Sequence, residues 1–223
     1  MAKDGGGADG RGMMRVVAIT ALLVVCGHLA AHPHAWIDLR VSVLFSEDGG
    51  VEALQQEWVF DPTYSHLLLE DMAADQPHLD LEAALQVMAE RMLGNLREHD
   101  YFTEITLADR RAEPMPARDA TLTLRQRRLH LQFQLPIAGT RPAPVRPLAY
   151  RVYDPTYWIE ILHDPGDVIH LAGGEGCNAH VRAPQPEAWM VAYAATLDRN
   201  QRAPIEDLGR PFAEVVSIEC NPR

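Results

Sequence analysis

The chain has 223 residues, of which 47% are hydrophobic, and its formal net charge at pH 7 is −11. This length and composition are typical of one domain with a substantial hydrophobic core. The acidity argues against nucleic acid and anionic membrane surfaces as partners, although it is compatible with the capture of cations.

The N-terminus has the organisation of a secretory signal, which assigns residues 1–31 to an N-terminal extension and signal peptide. Arg15 precedes an almost wholly apolar run from Val16 to Cys26, which is shorter than the ~20 residues that a membrane span requires. Val25 stands where a lipidated cysteine needs a small residue before it, so a lipoprotein is not expected. Small residues stand at a plausible cleavage point at the end of the signal. We therefore predict a single periplasmic domain over residues 32–223.

The mature part begins with a predicted hairpin and a helical pair. Residues 35–45 alternate as a strand, an acidic turn rich in glycine follows, and residues 51–60 form the returning strand. Asp61 is a favoured N-cap before proline, which predicts a helix over 63–72. Asp80 caps a second predicted helix that extends to about His99, with apolar residues at helical spacing.

From Tyr101 onward the hydrophobic period returns to two residues, which indicates β-structure. Short strands are predicted at residues 102–107, 120–124, 129–135, 148–153, 157–162 and 167–171. A helix over 186–197 and a strand over 213–218 complete the series. The expected fold class is α+β: a mainly antiparallel β-sheet with an inserted helical pair after the first hairpin.

Two cysteines remain once the signal is removed, Cys177 and Cys220. In an exported protein, such a pair is expected to form a disulfide rather than a thiolate metal site. The bridge would tie the C-terminal segment to the body of the domain.

A short motif occurs twice, as VFDPTY at residues 59–64 and VYDPTY at 152–157. Each copy reads as a strand that runs into an Asp-Pro turn. One interpretation is structural, with Asp61 and Asp154 acting as turn or cap acceptors. The other is functional, because each copy would present a carboxylate and a phenol beside a shared cleft.

The His-Pro-His sequence at the predicted mature N-terminus is the strongest indication of chemistry. Cleavage after Ala31 would give His32 both an α-amino group and an imidazole, and His34 would add a second imidazole. These nitrogen ligands suit zinc, copper and nickel. The simpler alternative is that both histidines are only solvated.

A complete metal site would need ligands from elsewhere in the fold, since zinc prefers four and accepts carboxylates beside imidazoles. Asp61 with His66 one helical turn beyond, or Asp154 on the second motif, are the best candidates. We therefore predict a transition-metal site with His32, His34 and His66 at its core and Asp61 or Asp154 completing it. Zinc is the expected ion, with nickel, cobalt or copper as alternatives.

An ordered set of motifs resembles the family filed as domain of unknown function 1007, described as an uncharacterised periplasmic component of ABC-type transport. The motifs are HPH at 32–34, WVFD at 58–61, YS at 64–65, LLED at 68–71, DYFT at 100–103, LP at 135–136 and VYDPTY at 152–157. Because members often accompany nickel, cobalt or zinc membrane transporters, the resemblance implies a role in metal handling.

Many members of that family carry an EF-hand-like loop between the two helices. Here Gln76 replaces the glycine that such a loop needs, so calcium is not expected.

The sequence contains no Gly-x-Ser-x-Gly elbow, P-loop, dinucleotide fingerprint or His-Glu-x-x-His helix. The expected function is therefore a non-enzymatic, periplasmic metal-binding accessory or delivery protein. Its partner would be a membrane metal permease or ABC-type transporter, without stable membrane insertion of its own. Two alternatives remain: a copper enzyme with an N-terminal histidine brace at His32, and a non-catalytic interaction domain.

Overall fold

The computed structural model describes residues 32–108, 110–138, 147–166, 169–197 and 205–220. The predicted signal peptide and its cleavage site lie outside these residues. No helix in the described part of the chain is long and apolar enough to cross a membrane.

The described residues form eleven strands and three α-helices, and the helical pair follows the first hairpin as predicted. In chain order the elements are β1 Ala35–Phe45, β2 Val51–Phe60, α1 Pro62–Asp75, α2 Leu81–Arg97, β3 Thr103–Leu107, β4 Arg110–Ala112, β5 Arg118–Arg125, β6 Arg128–Pro136, β7 Leu148–Val152, β8 Ile159–His163, β9 Ile169–Ala172, β10 Cys177–Arg182, α3 Ala188–Ala194 and β11 Val215–Cys220. The α+β class is confirmed.

The strands are divided between two sheets. The first has the order β5-β6-β2-β1-β8, with β9 also alongside β1, and the second has the order β10-β11-β7-β3-β4. All pairs in the second sheet are antiparallel, whereas β1 pairs in parallel with β8 and then with β9. The start of β1 therefore lies between the end of β2 and the start of β8.

The core lies between the sheets because each contributes one apolar face. Residues of β1 alternate between buried and partly exposed, and Ile37, Leu39 and Val41 point inward. Buried polar groups are also paired: Gln56 of β2 accepts from the Trp58 indole at 2.9 Å and donates to the Thr103 hydroxyl at 3.0 Å. The sheets are thus joined by specific hydrogen bonds as well as by apolar contact.

The two long helices begin at the predicted caps. The Asp61 carboxylate accepts from two N–H groups in the first turn of α1, and Asp80 accepts from Ala83 N in α2. The apolar stripe of α2 buries Leu85 and Met88 against the body of the domain. The helix α1 buries only Ser65 and Met72, so most of its surface is exposed.

The C-terminal region adds a disulfide and a second small core. Cys177 and Cys220 face each other across β10 and β11 and are bonded, which confirms the predicted bridge. The second core contains Tyr157, Met190, Ala194, Leu197, Leu208 and Phe212. Its Tyr157 and Phe212 rings are stacked with centroids 3.9 Å apart. This packing places the C-terminal segment directly over the second Asp-Pro motif.

Candidate functional site

The two copies of the repeated motif meet at the start of β1. Ile37 pairs with Phe60, the residue before the first motif's aspartate, and Ala35 pairs with Ile159, which follows the second motif. The sheet order therefore brings two segments that are about 90 residues apart in sequence to one end of one sheet.

In the first copy, the side chain of Asp61 holds the backbone in place. Its Oδ1 accepts the N–H groups of Thr63 and Tyr64, each at 2.9 Å. Its Oδ2 accepts Trp36 N at 3.1 Å, while Asp61 N donates to the Trp36 carbonyl at 2.9 Å. The predicted capping role is confirmed, and the same carboxylate also fixes the start of β1.

In the second copy, Asp154 closes a turn instead of capping a helix. The residue is only 5% exposed. Its Oδ1 accepts Thr156 N at 2.8 Å and its Oδ2 accepts Ile159 N at 3.0 Å. Tyr157 has a positive φ of 58°, so the chain turns into β8 where the first copy continues as a helix. The structural interpretation of the repeat thus holds for both aspartates.

The structure brings His32 and His34 together. Their ring centroids are 4.7 Å apart at an interplanar angle of 77°. His32 N donates to the Ala194 carbonyl at 3.2 Å, and His34 N donates to the Trp158 carbonyl at 2.8 Å. With His32 only 7% exposed, these histidines belong to the folded domain and not to a solvated tail.

Aromatic rings connect this pair to the two motifs. The Trp158 ring lies 5.5 Å from His34 and 5.7 Å from Tyr64, measured between centroids. Burial raises the pKa of Tyr64, and the charges of Asp154 and Asp61 raise it further. One phenol therefore lies within electrostatic reach of both carboxylates, next to the ring that contacts His34.

His66 is not assembled with the other predicted ligands. It lies two residues after Tyr64 on α1, which places it about 200° around the helix from the Trp158 side. Its Nε2 is 3.4 Å from Glu70, and its side chain is 71% exposed. Among the described residues, no three His, Cys, Asp or Glu side chains are arranged to hold a metal ion. The structure thus brings together two imidazoles, with two hydrogen-bonded carboxylates nearby.

Sequence reasoning missed Trp158 at this site and a buried polar pair in the core. Trp158 follows the second motif directly, and an aromatic residue after a turn gives little indication that it will contact a histidine 124 positions earlier. Tyr150 and His163 form a buried pair, with 3.2 Å between the hydroxyl and Nε2. Both lie at inward positions of short strands, where the sequence pattern favours apolar residues, and neither has a local partner that would reveal it.

A relative of this chain is an uncharacterised protein of Haemophilus influenzae strain Rd. It is 23% identical over 210 residues, which cover 93% of this chain and 100% of the relative. No solved structure matches the chain. The family model described as "Protein of unknown function (DUF1007)" matches residues 17–220. Because that match spans most of the sequence, the chain belongs to the DUF1007 family.

Proposed function

We propose that this protein binds a transition metal through His32 and His34 and acts as a periplasmic accessory or delivery subunit of a membrane transport system for zinc, nickel or cobalt. The observation that carries the proposal is the pairing of the two imidazoles, with ring centroids 4.7 Å apart. Both backbones are tied to the body of the domain. Ligands held in this way bind a metal without first having to be ordered.

The surroundings of the pair favour a cation. Asp61 and Asp154 carry negative charge close to Tyr64, which contacts the same tryptophan as His34. Their oxygens are bonded to backbone N–H groups, yet a carboxylate oxygen has further acceptor capacity. Each is therefore able to attract the ion electrostatically.

Two protein imidazoles leave the coordination of zinc or nickel incomplete. The remaining positions would be filled by water, by one of the carboxylates, or by the α-amino group of His32 if export removes residues 1–31. An incompletely enclosed ion exchanges more readily than one held by four protein ligands. Such a site suits the transfer of a metal to a partner better than its storage.

The direct test is equilibrium titration of zinc, nickel and copper into the exported protein and a His32→Ala/His34→Ala double variant. We expect the double variant to lose affinity by about tenfold or more, since both imidazole ligands are removed. His170→Ala is a matched control, because His170 lies on β9 and pairs with Ser42, away from the pair. Equal affinity in the double variant and the parent protein would refute the proposal.

His66 needs a variant of its own, because the sequence predicts it as a ligand and the structure places it beside Glu70. If the metal is held as proposed, His66→Ala keeps the parent affinity within about twofold. A loss as large as that of the double variant would mean that α1 moves to complete the site.

The transport role is supported by the family resemblance and by a ligand set of two imidazoles, which would leave coordination positions for exchange. Its test is the zinc, nickel and cobalt content of cells that express or lack this protein, measured by elemental analysis in metal-limited and metal-rich media. A change confined to one metal would support the proposal and identify the cargo. Unchanged content of all three metals would contradict the transport role while leaving metal binding itself intact.

A further inference from the structure

An open cavity of about 550 Å³ lies against the second sheet, and none of the predicted metal ligands lines it. This volume falls within the range of small-molecule sites, roughly 300–1,000 Å³. Its apolar lining includes Met190, Pro211 and Val215, and its charged lining includes Arg151 and Arg182. We propose that this cavity binds a free α-amino acid with an apolar side chain.

One arginine that lines the cavity has hydrogen-bond donors to spare. Arg151 is 22% exposed at its side chain, and its Nη1 donates to Glu104 at 2.8 Å. A guanidinium has five N–H donors, and the others of Arg151 make no hydrogen bond to any described side chain. A planar, partly buried cation with free donors is suited to a carboxylate.

Glu104 orients this arginine. It faces Arg151 across β3 and β7, and it also accepts two bonds of 2.9 Å from Arg210. The hydrogen bonds from Arg210 are the main reason that the pKa of Glu104 is lowered. Two guanidinium groups therefore share the Glu104 carboxylate, and Arg210 Nε also lies 3.9 Å from Asp207, so the charges of Arg151 and Arg210 are matched by those of Glu104 and Asp207.

Two further charges on the cavity wall have no ion-pair partner among the described residues: the cation Arg182 and the anion Glu206. The neighbouring Asp207 is already engaged, because it accepts from the Tyr153 hydroxyl at 3.2 Å and forms an ion pair with Arg210. A cation and an anion on the wall of a cavity that is partly apolar complement a zwitterion. The carboxylate of an amino acid would lie on Arg151 and Arg182, its ammonium group on Glu206, and its side chain against Met190.

A simple inorganic anion fits the cavity less well. Phosphate would use the arginines but would be repelled by Glu206 and would leave the apolar wall around Met190 and Val215 in contact with water. An amino acid offers a carboxylate to the arginines, an ammonium group to Glu206 and an apolar side chain to the apolar wall. The site is independent of the histidine pair, so it does not depend on the metal proposal.

The test is calorimetric titration of the full exported protein with leucine, methionine and phenylalanine, and with leucinamide, N-acetylleucine and inorganic phosphate. We expect at least one free amino acid to bind saturably, and the blocked leucine derivatives to bind about tenfold more weakly than leucine, because each lacks one charge. Saturable binding of N-acetylleucine or phosphate as tight as that of the amino acids would overturn the proposal. So would the absence of binding by all three amino acids.

Variants locate the ligand in the cavity. Arg182→Gln and Glu206→Gln should each weaken amino-acid binding by about tenfold, and both side chains are exposed, so the fold should be retained. Arg91→Gln is the matched control, because Arg91 is an exposed arginine on α2 paired with Asp75 outside the cavity. Unaltered binding by both cavity variants would exclude this site, whatever the binding of the parent protein.

Discussion

Tyr150 and His163 lie on different sheets and are joined inside the core by a hydrogen bond of 3.2 Å between the Tyr150 hydroxyl and His163 Nε2. Burial raises the pKa of Tyr150 well above its ordinary value, so its hydroxyl remains a donor. Glu214 completes the network, since its Oε2 is 2.7 Å from both the backbone nitrogen and Nδ1 of His163. Every polar atom of the His163 ring is thereby satisfied when Nδ1 carries the proton.

This network should make stability depend on pH through Glu214. Burial alone would raise the pKa of Glu214, but the hydrogen bonds from His163 outweigh it, and the net result is a pKa below the ordinary value of 4.5. A lowered pKa stabilises the folded state above the ordinary value, and this contribution is lost as pH falls through the folded-state pKa. Glu214→Gln should therefore cost about 1–3 kcal/mol at pH 7 and progressively less below pH 4.5.

Urea unfolding of the parent protein and Glu214→Gln from pH 7 down to about pH 3 measures this difference. Glu219→Gln is the control, because Glu219 is an exposed carboxylate on the neighbouring strand β11. If the gap between parent and Glu214→Gln stays constant across the pH range, the carboxylate does not act through its charge.

The two aspartates of the repeated motif should respond differently to the same substitution. Asp61→Asn keeps an oxygen for the first turn of α1 and loses only the bond to Trp36 N, so we expect a cost of at most about 1 kcal/mol. Asp154→Asn would place an amide N–H₂ against a partly buried N–H, either that of Thr156 or that of Ile159. Its expected cost is about 1–3 kcal/mol.

The same two variants also show whether each aspartate only stabilises the fold or also binds the metal. Unfolding free energies and zinc affinities should be measured together for both. If Asp61→Asn abolishes metal binding while its stability stays near that of the parent protein, Asp61 is a direct ligand and its capping role is secondary.

Gly209 should tolerate no larger residue. It lies so close to the Asp154 backbone that an added Cβ would overlap the Asp154 carbonyl oxygen. Gly209→Ala must therefore push the C-terminal segment away from the second motif, at an expected cost of about 1–3 kcal/mol or more. Gly94→Ala is the matched control, since nothing lies within 4 Å of its Cβ position, and helix propensity predicts stabilisation by up to about 1 kcal/mol. Equal effects in urea unfolding would contradict this close approach.

The local elements were predictable because their signals are local. The bounds of β1 and β2 agree with the predicted residues, and the caps Asp61 and Asp80 were identified from residue type and position. The strand β4 was missed because its three residues, Arg110–Ala112, show no hydrophobic alternation. The last strand was predicted two residues too early, at 213–218 instead of Val215–Cys220.

The candidate site was only partly predictable, since its geometry depends on parallel pairing between β1 and β8. No local pattern specifies that pairing, and without it the contact of His34 with Trp158 cannot be inferred. His66 was predicted to join the site from local spacing alone. The spacing of five residues from Asp61 to His66 is compatible with both side chains facing one side of the helix. The rotation of α1 instead turns His66 toward Glu70.

The bridge between Cys177 and Cys220 should contribute substantially to stability. It joins β10 and β11 across a sequence separation of 43 residues. In the chain-entropy model a bridge over such a loop stabilises by ~3–4 kcal/mol, because it restricts the unfolded chain. A Cys177→Ser/Cys220→Ser variant should lose this amount in urea unfolding, and treatment with dithiothreitol should not destabilise it further. Two free thiols found by alkylation of the unreduced protein would disprove the bridge.

Metal affinity should fall in acid, because a proton and a metal ion compete for the same imidazole nitrogens. Ordinary histidines are protonated below about pH 6.5, and a protonated imidazole cannot bind a metal. If both His32 and His34 are ligands, the logarithm of the affinity should decrease by up to about two per pH unit below that value, whereas a single ligand gives about one.

Trp158 offers a local readout, since its ring is 5.5 Å from His34 and bound copper or nickel would quench its fluorescence. In titrations from pH 7.5 to pH 5, we therefore expect quenching to be lost steeply in the parent protein and less steeply in His34→Ala. The double variant should show no saturable quenching. Affinity that does not change with pH would mean that the metal is held by other groups.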